Sequence, residues 1–274
     1  MTNLSIRVSG LCFVVILGLA GLAFAETTCL RCHGDKQPNQ FFHGSLSESC
    51  SSCHGASEAH QKSPIRNKPD RILAGEAPHT QNQACLSCHE GADHQNWTGS
   101  AHDIADVSCT SCHAIHGDPI DPGSTETCLG CHQSVKTSLH LPSRHPLLEG
   151  LMGCVDCHEP HGTGLNAMTR GVIETDTCTS CHAEKQGPLL FEHEPVTEDC
   201  AICHEPHGSV IPGMLKTRPP FLCQQCHQAA DHPGQLAFGR NTANAPASAL
   251  GQSCLNCHGQ VHGSNHPSGA RLTR

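Results

Sequence analysis

Ten times along this chain two cysteines separated by two residues are followed at once by a histidine, and no other feature constrains the fold as tightly. The copies are Cys29, Cys32, His33; Cys50, Cys53, His54; Cys85, Cys88, His89; Cys109, Cys112, His113; Cys128, Cys131, His132; Cys154, Cys157, His158; Cys178, Cys181, His182; Cys200, Cys203, His204; Cys223, Cys226, His227; and Cys254, Cys257, His258. They use 20 of the 21 cysteines. Paired cysteines at this spacing also suit a disulfide framework or zinc ribbons, yet neither requires the histidine. With 24 histidines in 274 residues, chance would put one at that place about 0.09 of the time, so ten from ten has a probability on the order of 10⁻¹¹. The pattern is the attachment signature of c-type haem.

The spacing has a physical reason. On a helical turn, residues i, i+3 and i+4 lie on one face, so both sulfurs meet one porphyrin edge while the imidazole reaches the iron. The ligating nitrogen must be deprotonated, which makes each motif histidine a neutral proximal ligand. The sequence therefore implies ten covalently bound haem c groups.

Residues 1–25 place Arg7 in a short polar start, an apolar run from Leu11 to Leu22, and Ala23, Phe24, Ala25 before Glu26. This is the pattern of a secretory signal cleaved after Ala25. A membrane anchor is the competing reading, but the apolar run is shorter than the roughly 20 residues a span needs. Cys12, the one cysteine outside a motif, would leave with the leader. The expected location is a periplasm, where thioether bonds to haem can form.

What remains allots roughly 25 residues to each motif, far too few for an ordinary core around every haem. Aromatic residues make up only 3%, with one tryptophan, Trp97, and no tyrosine. The porphyrins must then be the core. Gly 26, Pro 18 and 36% hydrophobic residues argue for a mostly irregular chain with short α-helices at the motifs and little or no β-sheet. Folding and haem ligation would be one event. A formal charge of −9, one unit more negative once Arg7 leaves, excludes nucleic acid as a natural partner.

Fourteen histidines lie outside the motifs, and their spacing repeats. His43, His102 and His193 stand seven residues before Cys50, Cys109 and Cys200, and His145 nine before Cys154. His116, His161 and His207 lie three residues after His113, His158 and His204, and His60 six after His54. The chain reads as five units, each an odd motif, a histidine, an even motif and a second histidine. The last unit fits loosely, with His232 before Cys254 and His262 or His266 after it. Ten candidate distal ligands result: His43, His60, His102, His116, His145, His161, His193, His207, His232 and His262. His79, His94, His140 and His266 are surplus. A histidine three residues after a proximal ligand sits on the same side of its own porphyrin, so it must serve another haem. The glycines after several of them (Gly117, Gly162, Gly208, Gly263) suit backbone passing close to a ring.

An iron with two histidines has no position for substrate, so a row of them transfers electrons and no catalytic residue is expected. The rival is a multihaem reductase of a small nitrogen or sulfur compound, which needs one open iron; no motif replaces the proximal histidine by lysine to supply one. A passive electron store is a third reading.

The strings CHAEKQGPLLFEHEPVTEDCAICHEPHGS (Cys181 to Ser209) and SCLNCHGQVHGSNHPSG (Ser253 to Gly269) closely resemble the periplasmic decahaem cytochromes of the MtrA, PioA and DmsE type. The ten motifs extend that resemblance from Cys29 nearly to the C-terminus. It implies one decahaem domain over 26–274, an elongated wire of bis-histidine haems seated in an outer-membrane β-barrel porin. It also implies an outer-surface multihaem cytochrome or reductase on one side and a periplasmic or inner-membrane cytochrome on the other. In such proteins, positions matching His79, His94 and His140 are not ligands, in agreement with the count.

Overall fold

The computed structural model describes residues 29–36, 43, 50–91, 94–116, 121–227 and 253–273. The expected leader, with Cys12, and the candidate ligand His232 lie outside these residues.

The described chain is irregular backbone punctuated by short helices: α1 Ser51–His54, α2 Glu58–Lys62, α3 Pro78–Leu86, α4 Ala101–Ile104, α5 Thr125–Leu129, α6 Gln133–Ser138, α7 Asp176–Thr179 and α8 Glu194–Glu198. Their starts follow local chemistry. Pro78 occupies the first turn of α3, Ser100 accepts a hydrogen bond from the Asp103 N–H at the head of α4, and Ser124 does the same for Thr127 at α5. Prolines and glycines then interrupt before a second or third turn accumulates. Motifs three, five and seven end α3, α5 and α7, whereas motifs four, six, eight, nine and ten open in single 3₁₀ turns. No described helix is long and apolar enough to cross a membrane.

Pairing between strands is confined, among the described residues, to isolated bridges: Ser143 with Ser209, His158 with Thr169, Phe191 with Ser264 and His204 with Leu215. Two of these close a loop that follows an even motif. After motif six Glu159 N donates to Met168 O and Arg170 N to Cys157 O; after motif eight Glu205 N donates to Met214 O and Lys216 N to Cys203 O. Ala167 with Met168, and Gly213 with Met214, take positive φ at the turn. The same local sequence, CHEPHG, thus folds the same way twice.

The other two bridges lock a histidine-bearing segment onto a loop on the far side of three motifs. Ser143 and Ser209 exchange backbone hydrogen bonds, as do Phe191 and Ser264. Glycine is required where these segments cross. A Cβ at Gly208 (φ +150°) would overlap the Ser138 carbonyl oxygen, and one at Gly263 (φ +113°) would overlap Leu189. The sequence reading put porphyrin against these glycines; in the fold it is neighbouring protein segments that leave no room for a side chain.

The chain forms two compact units, Met1–Pro122 and Gly123–Arg274. Neither shows a conventional core among its described residues. Among the described residues the buried apolar side chains are Trp97, Leu129, Leu139 and Leu272, with Leu139 alone fully enclosed. Buried Ser57, Asn82, Ser100, Thr175, Ser209 and Ser264 outnumber them. So polar a polypeptide cannot offset its ordering entropy by its own apolar burial.

Candidate functional site

Every motif closes one turn of the same form. The histidine N–H donates to the carbonyl of the first cysteine four residues back, at 2.8–3.1 Å in all ten copies. This bond brings the two sulfurs and the imidazole onto one side of the turn. None of the twenty motif cysteines is in a disulfide, and no described group of three or more His, Cys, Asp or Glu side chains could hold a metal ion by itself.

The imidazoles instead meet in twos. His33 faces His60 with ring centroids 6.2 Å apart, His43 faces His89 at 6.2 Å, and His54 faces His116 at 6.1 Å. In the second unit His145 faces His182 at 6.3 Å, His158 faces His207 at 5.9 Å, His193 faces His227 at 6.0 Å and His204 faces His262 at 6.1 Å. Each pair joins a motif histidine to a spare one. Two imidazoles bound to opposite sides of a metal through bonds of about 2 Å place their centroids roughly 6 Å apart. The residues present therefore fit an iron between every pair. By count alone, the motif histidines outside these seven pairs are His113, His132 and His258, and the candidate ligands outside them are His102, His161 and His232.

The second ring nitrogen is held by backbone. In even motifs the motif histidine is anchored: Nδ1–H of His54 donates to Arg71 O at 3.3 Å, His158 to Ala167 O at 2.9 Å, His204 to Gly213 O at 2.7 Å and His258 to Arg271 O at 2.6 Å. In three pairs formed with odd motifs the spare histidine is anchored instead: His60 to Asn67 O, His145 to Pro206 O and His193 to Val261 O, each at 2.8 Å. A donor bond at Nδ1 fixes the tautomer that leaves Nε2 free to ligate. His161 meets a carboxylate, its Nδ1 lying 3.2 Å from Glu159 Oε1, while Arg170 holds the other oxygen at 2.7 Å. Burial raises the Glu159 carboxyl, but the hydrogen bonds from Arg170 and the His161 backbone outweigh it and hold the group below its ordinary value.

Burial pushes His43, His207 and His262 below the usual histidine range, with neighbouring His89, His158 and Lys185 adding to the effect respectively. They are neutral imidazoles near neutral pH, the state that ligation requires. Between the two C-terminal alternatives the geometry favours His262, because His266 Nδ1 accepts from the Ser268 N–H and keeps its proton on the other nitrogen. His94, counted as surplus, does approach a motif: its ring lies 5.4 Å from that of His89, tilted 54°. Five residues of chain hold it beside His89, closer than the iron-bridged spacing. Neither His94's approach nor the anchoring carbonyls had a side-chain signal in the sequence.

The motif cysteines also meet each other in a regular order. First cysteines influence one another from odd to even motif: Cys85 with Cys109, Cys178 with Cys200 and Cys223 with Cys254. Second cysteines approach from even to odd: Cys53 toward Cys85 and Cys88, Cys157 toward Cys181 and Cys203 toward Cys226. Burial and the neighbouring sulfur push Cys178 up to about 12 and Cys223 up to about 11, so these thiols are protonated until consumed in thioether bonds.

Ten one-turn attachment motifs, each presenting an imidazole, with spare imidazoles facing seven of them across the width of an iron, define a multihaem c-type cytochrome, an electron-transfer protein with covalently bound haem. Comparison with known proteins agrees. A doubled CXXCH motif family matches residues 145–187 and 193–232, and a cytochrome c-type protein NrfB-like family matches residues 50–123. The chain is 43% identical to the multihaem cytochrome MtrA of Shewanella baltica (strain OS185), over 90% of this chain and 80% of that protein. It belongs to the MtrA family of multihaem cytochromes.

Proposed function

We propose that this cytochrome carries ten haems, each gripped by two histidines, and conducts electrons through them across an outer membrane inside a β-barrel porin. In this reading the twenty motif cysteines make the thioether bonds and the ten motif histidines bind the irons from one side. His43, His60, His102, His116, His145, His161, His193, His207, His232 and His262 close the other side. The observation that carries the proposal is the near-constant spacing of facing imidazoles, from 5.9 Å for His158 and His207 to 6.3 Å for His145 and His182.

Bound haem supplies a one-electron couple whose potential, with histidine on both sides, lies low for a c-type haem. In this reading a histidine on each side of a haem would leave no position for substrate, and the backbone carbonyls at His54, His60, His145, His158, His193, His204 and His258, with the Glu159 carboxylate at His161, would hold those rings in place. Within each unit, the mutual influence of first cysteines at odd-to-even junctions, and of second cysteines at even-to-odd ones, supports successive motifs being neighbours. Ligands are exchanged between motifs. His43, His145 and His193 reach forward past the nearest motif to His89, His182 and His227, while His116, His207 and His262 reach back to His54, His158 and His204. His60 closes the first motif on His33.

The partner follows from the backbone. An irregular, glycine-rich chain cannot face lipid with its peptide groups unsatisfied, and a barrel lumen removes that cost. Similarity to MtrA, together with the leader expected over residues 1–25, supports a periplasmic protein reaching a porin. An outer-surface cytochrome or reductase would stand on one side and a periplasmic or inner-membrane cytochrome on the other. Reconstitution with the porin in liposomes that enclose a reduced redox dye tests this. An external oxidant is expected to oxidise the dye only when both proteins are present; a dye untouched by the complex, with ten haems counted per chain, would refute the conduit.

A further inference from the structure

Asn82 is among the most deeply buried side chains of the described protein, 2% exposed, and it takes no part in haem attachment or in the imidazole pairs. It lies on α3, one turn before Cys85, the first cysteine of motif three. Its amide Nδ2 donates to Val107 O at 3.0 Å, and its Oδ1 accepts from the Cys109 N–H at 2.8 Å. Cys109 is the first cysteine of motif four. The amide thus grips both ends of the two-residue step that leads into that motif. A donor and an acceptor so placed define the sense of the amide as well as its position. Beside it Thr110 Oγ1 donates to Gln81 Oε1 at 3.2 Å, a second tie between the same two segments. These two ties hold the first cysteines of motifs three and four, Cys85 and Cys109, on segments joined directly to one another.

At the corresponding place three residues before Cys178 and Cys223 stand Thr175 and Pro220, which carry no amide to make the same two bonds. An apolar side chain of similar volume would fill the space at Asn82 but could not read the register of residues 107–109. It would also leave a buried carbonyl and N–H without their partner.

We propose that Asn82 is a positioning residue for electron transfer: it sets the spacing and orientation of the haems on motifs three and four by clamping their first attachment points together. The inference rests on the proposed haem attachment at Cys85 and Cys109, and it concerns how the two groups are held, not whether they are present. Removing the clamp lets motif four move relative to α3, and transfer between these two haems, in series with all others, slows.

The test compares full-length holoprotein with Asn82→Leu and Asn82→Asp. Haem per chain is measured by pyridine haemochrome, magnetic interaction between ferric haems by electron paramagnetic resonance, and electron transit by conductance of the protein held between electrodes. Asn82→Leu is expected to keep its full haem complement and low-spin signals. One interacting pair of ferric signals should change, and transit should slow severalfold. Asn82→Asp, which retains the acceptor for Cys109 and loses the donor to Val107, is expected to fall between. If Asn82→Leu matures poorly, Asn82→Asp decides by the same two readouts. Parental resonance signals and transit in a fully loaded variant, with only a lower melting temperature, would reduce Asn82 to a structural role and overturn the inference. Parent protein lacking haem at Cys85 and Cys109 would overturn the attachment reading instead.

Discussion

A histidine that binds iron through one nitrogen must have its other nitrogen held, or its ring turns and the bond weakens. In this cytochrome the holding group is usually a peptide carbonyl, and the side on which it acts alternates. Even motifs anchor the motif histidine, as in His158 on Ala167 and His204 on Gly213, while His145 and His193, facing odd motifs, are anchored on Pro206 and Val261. The unanchored partners His207 and His262 are held by burial, which also keeps them neutral. Replacing His207 by alanine is therefore expected to open the iron on the His158 motif and leave that of His204 closed. One ferric haem per chain should turn high-spin and take up cyanide, by resonance and by titration. An all-low-spin variant that ignores cyanide would break the assignment of His207. The candidate set was readable in the sequence because spare histidines recur at fixed distances from cysteines. The anchors were not, because a carbonyl belongs to every residue and only the fold selects Pro206 or Val261.

At the scale of elements, the working parts are one-turn motifs and the loops that return to them. The segments ending in His145 and His193 cross the loops after motifs eight and ten, where Ser143 pairs with Ser209 and Phe191 with Ser264. Gly208 sits at the first crossing with φ +150° and no room for a Cβ, whereas Gly75 has φ +86° and open space around it. Gly75→Ala should bear only the dihedral strain, roughly 1 kcal/mol. Gly208→Ala adds a clash with Ser138 backbone and should cost about 1–3 kcal/mol or more. Thermal melting of the two holoproteins checks the order, and equal melting temperatures would contradict the crossing. Short helices at motifs were legible from their turn spacing. The crossings were not, since the residues that meet at them are more than sixty positions apart and carry no pairing pattern.

For the whole molecule, the decisive quantity is how little apolar surface the polypeptide buries on its own: four side chains among the described residues, of which Trp97 is the only aromatic one. Haem must supply the rest, so the stable fold depends on the cofactor having been attached. Protein made without haem attachment is expected to lack cooperative thermal unfolding and to show the far-ultraviolet dichroism of disordered chain. A sharp melting transition in such a sample would show a core that the fold does not contain.

The sequence by itself determined that the chain carries covalently bound haem c and singled out the candidate attachment points, because thioether and proximal bonds need residues only three and four apart, within one turn that forms wherever it is placed. It also determined the number of spare imidazoles. Which imidazole faces which, that His262 and not His266 turns toward His204, and that Asn82 ties motif three to motif four were decided by tertiary structure alone. Those relations close loops of tens of residues, and loop closure is settled by the packing of the whole unit, in which no local spacing takes part.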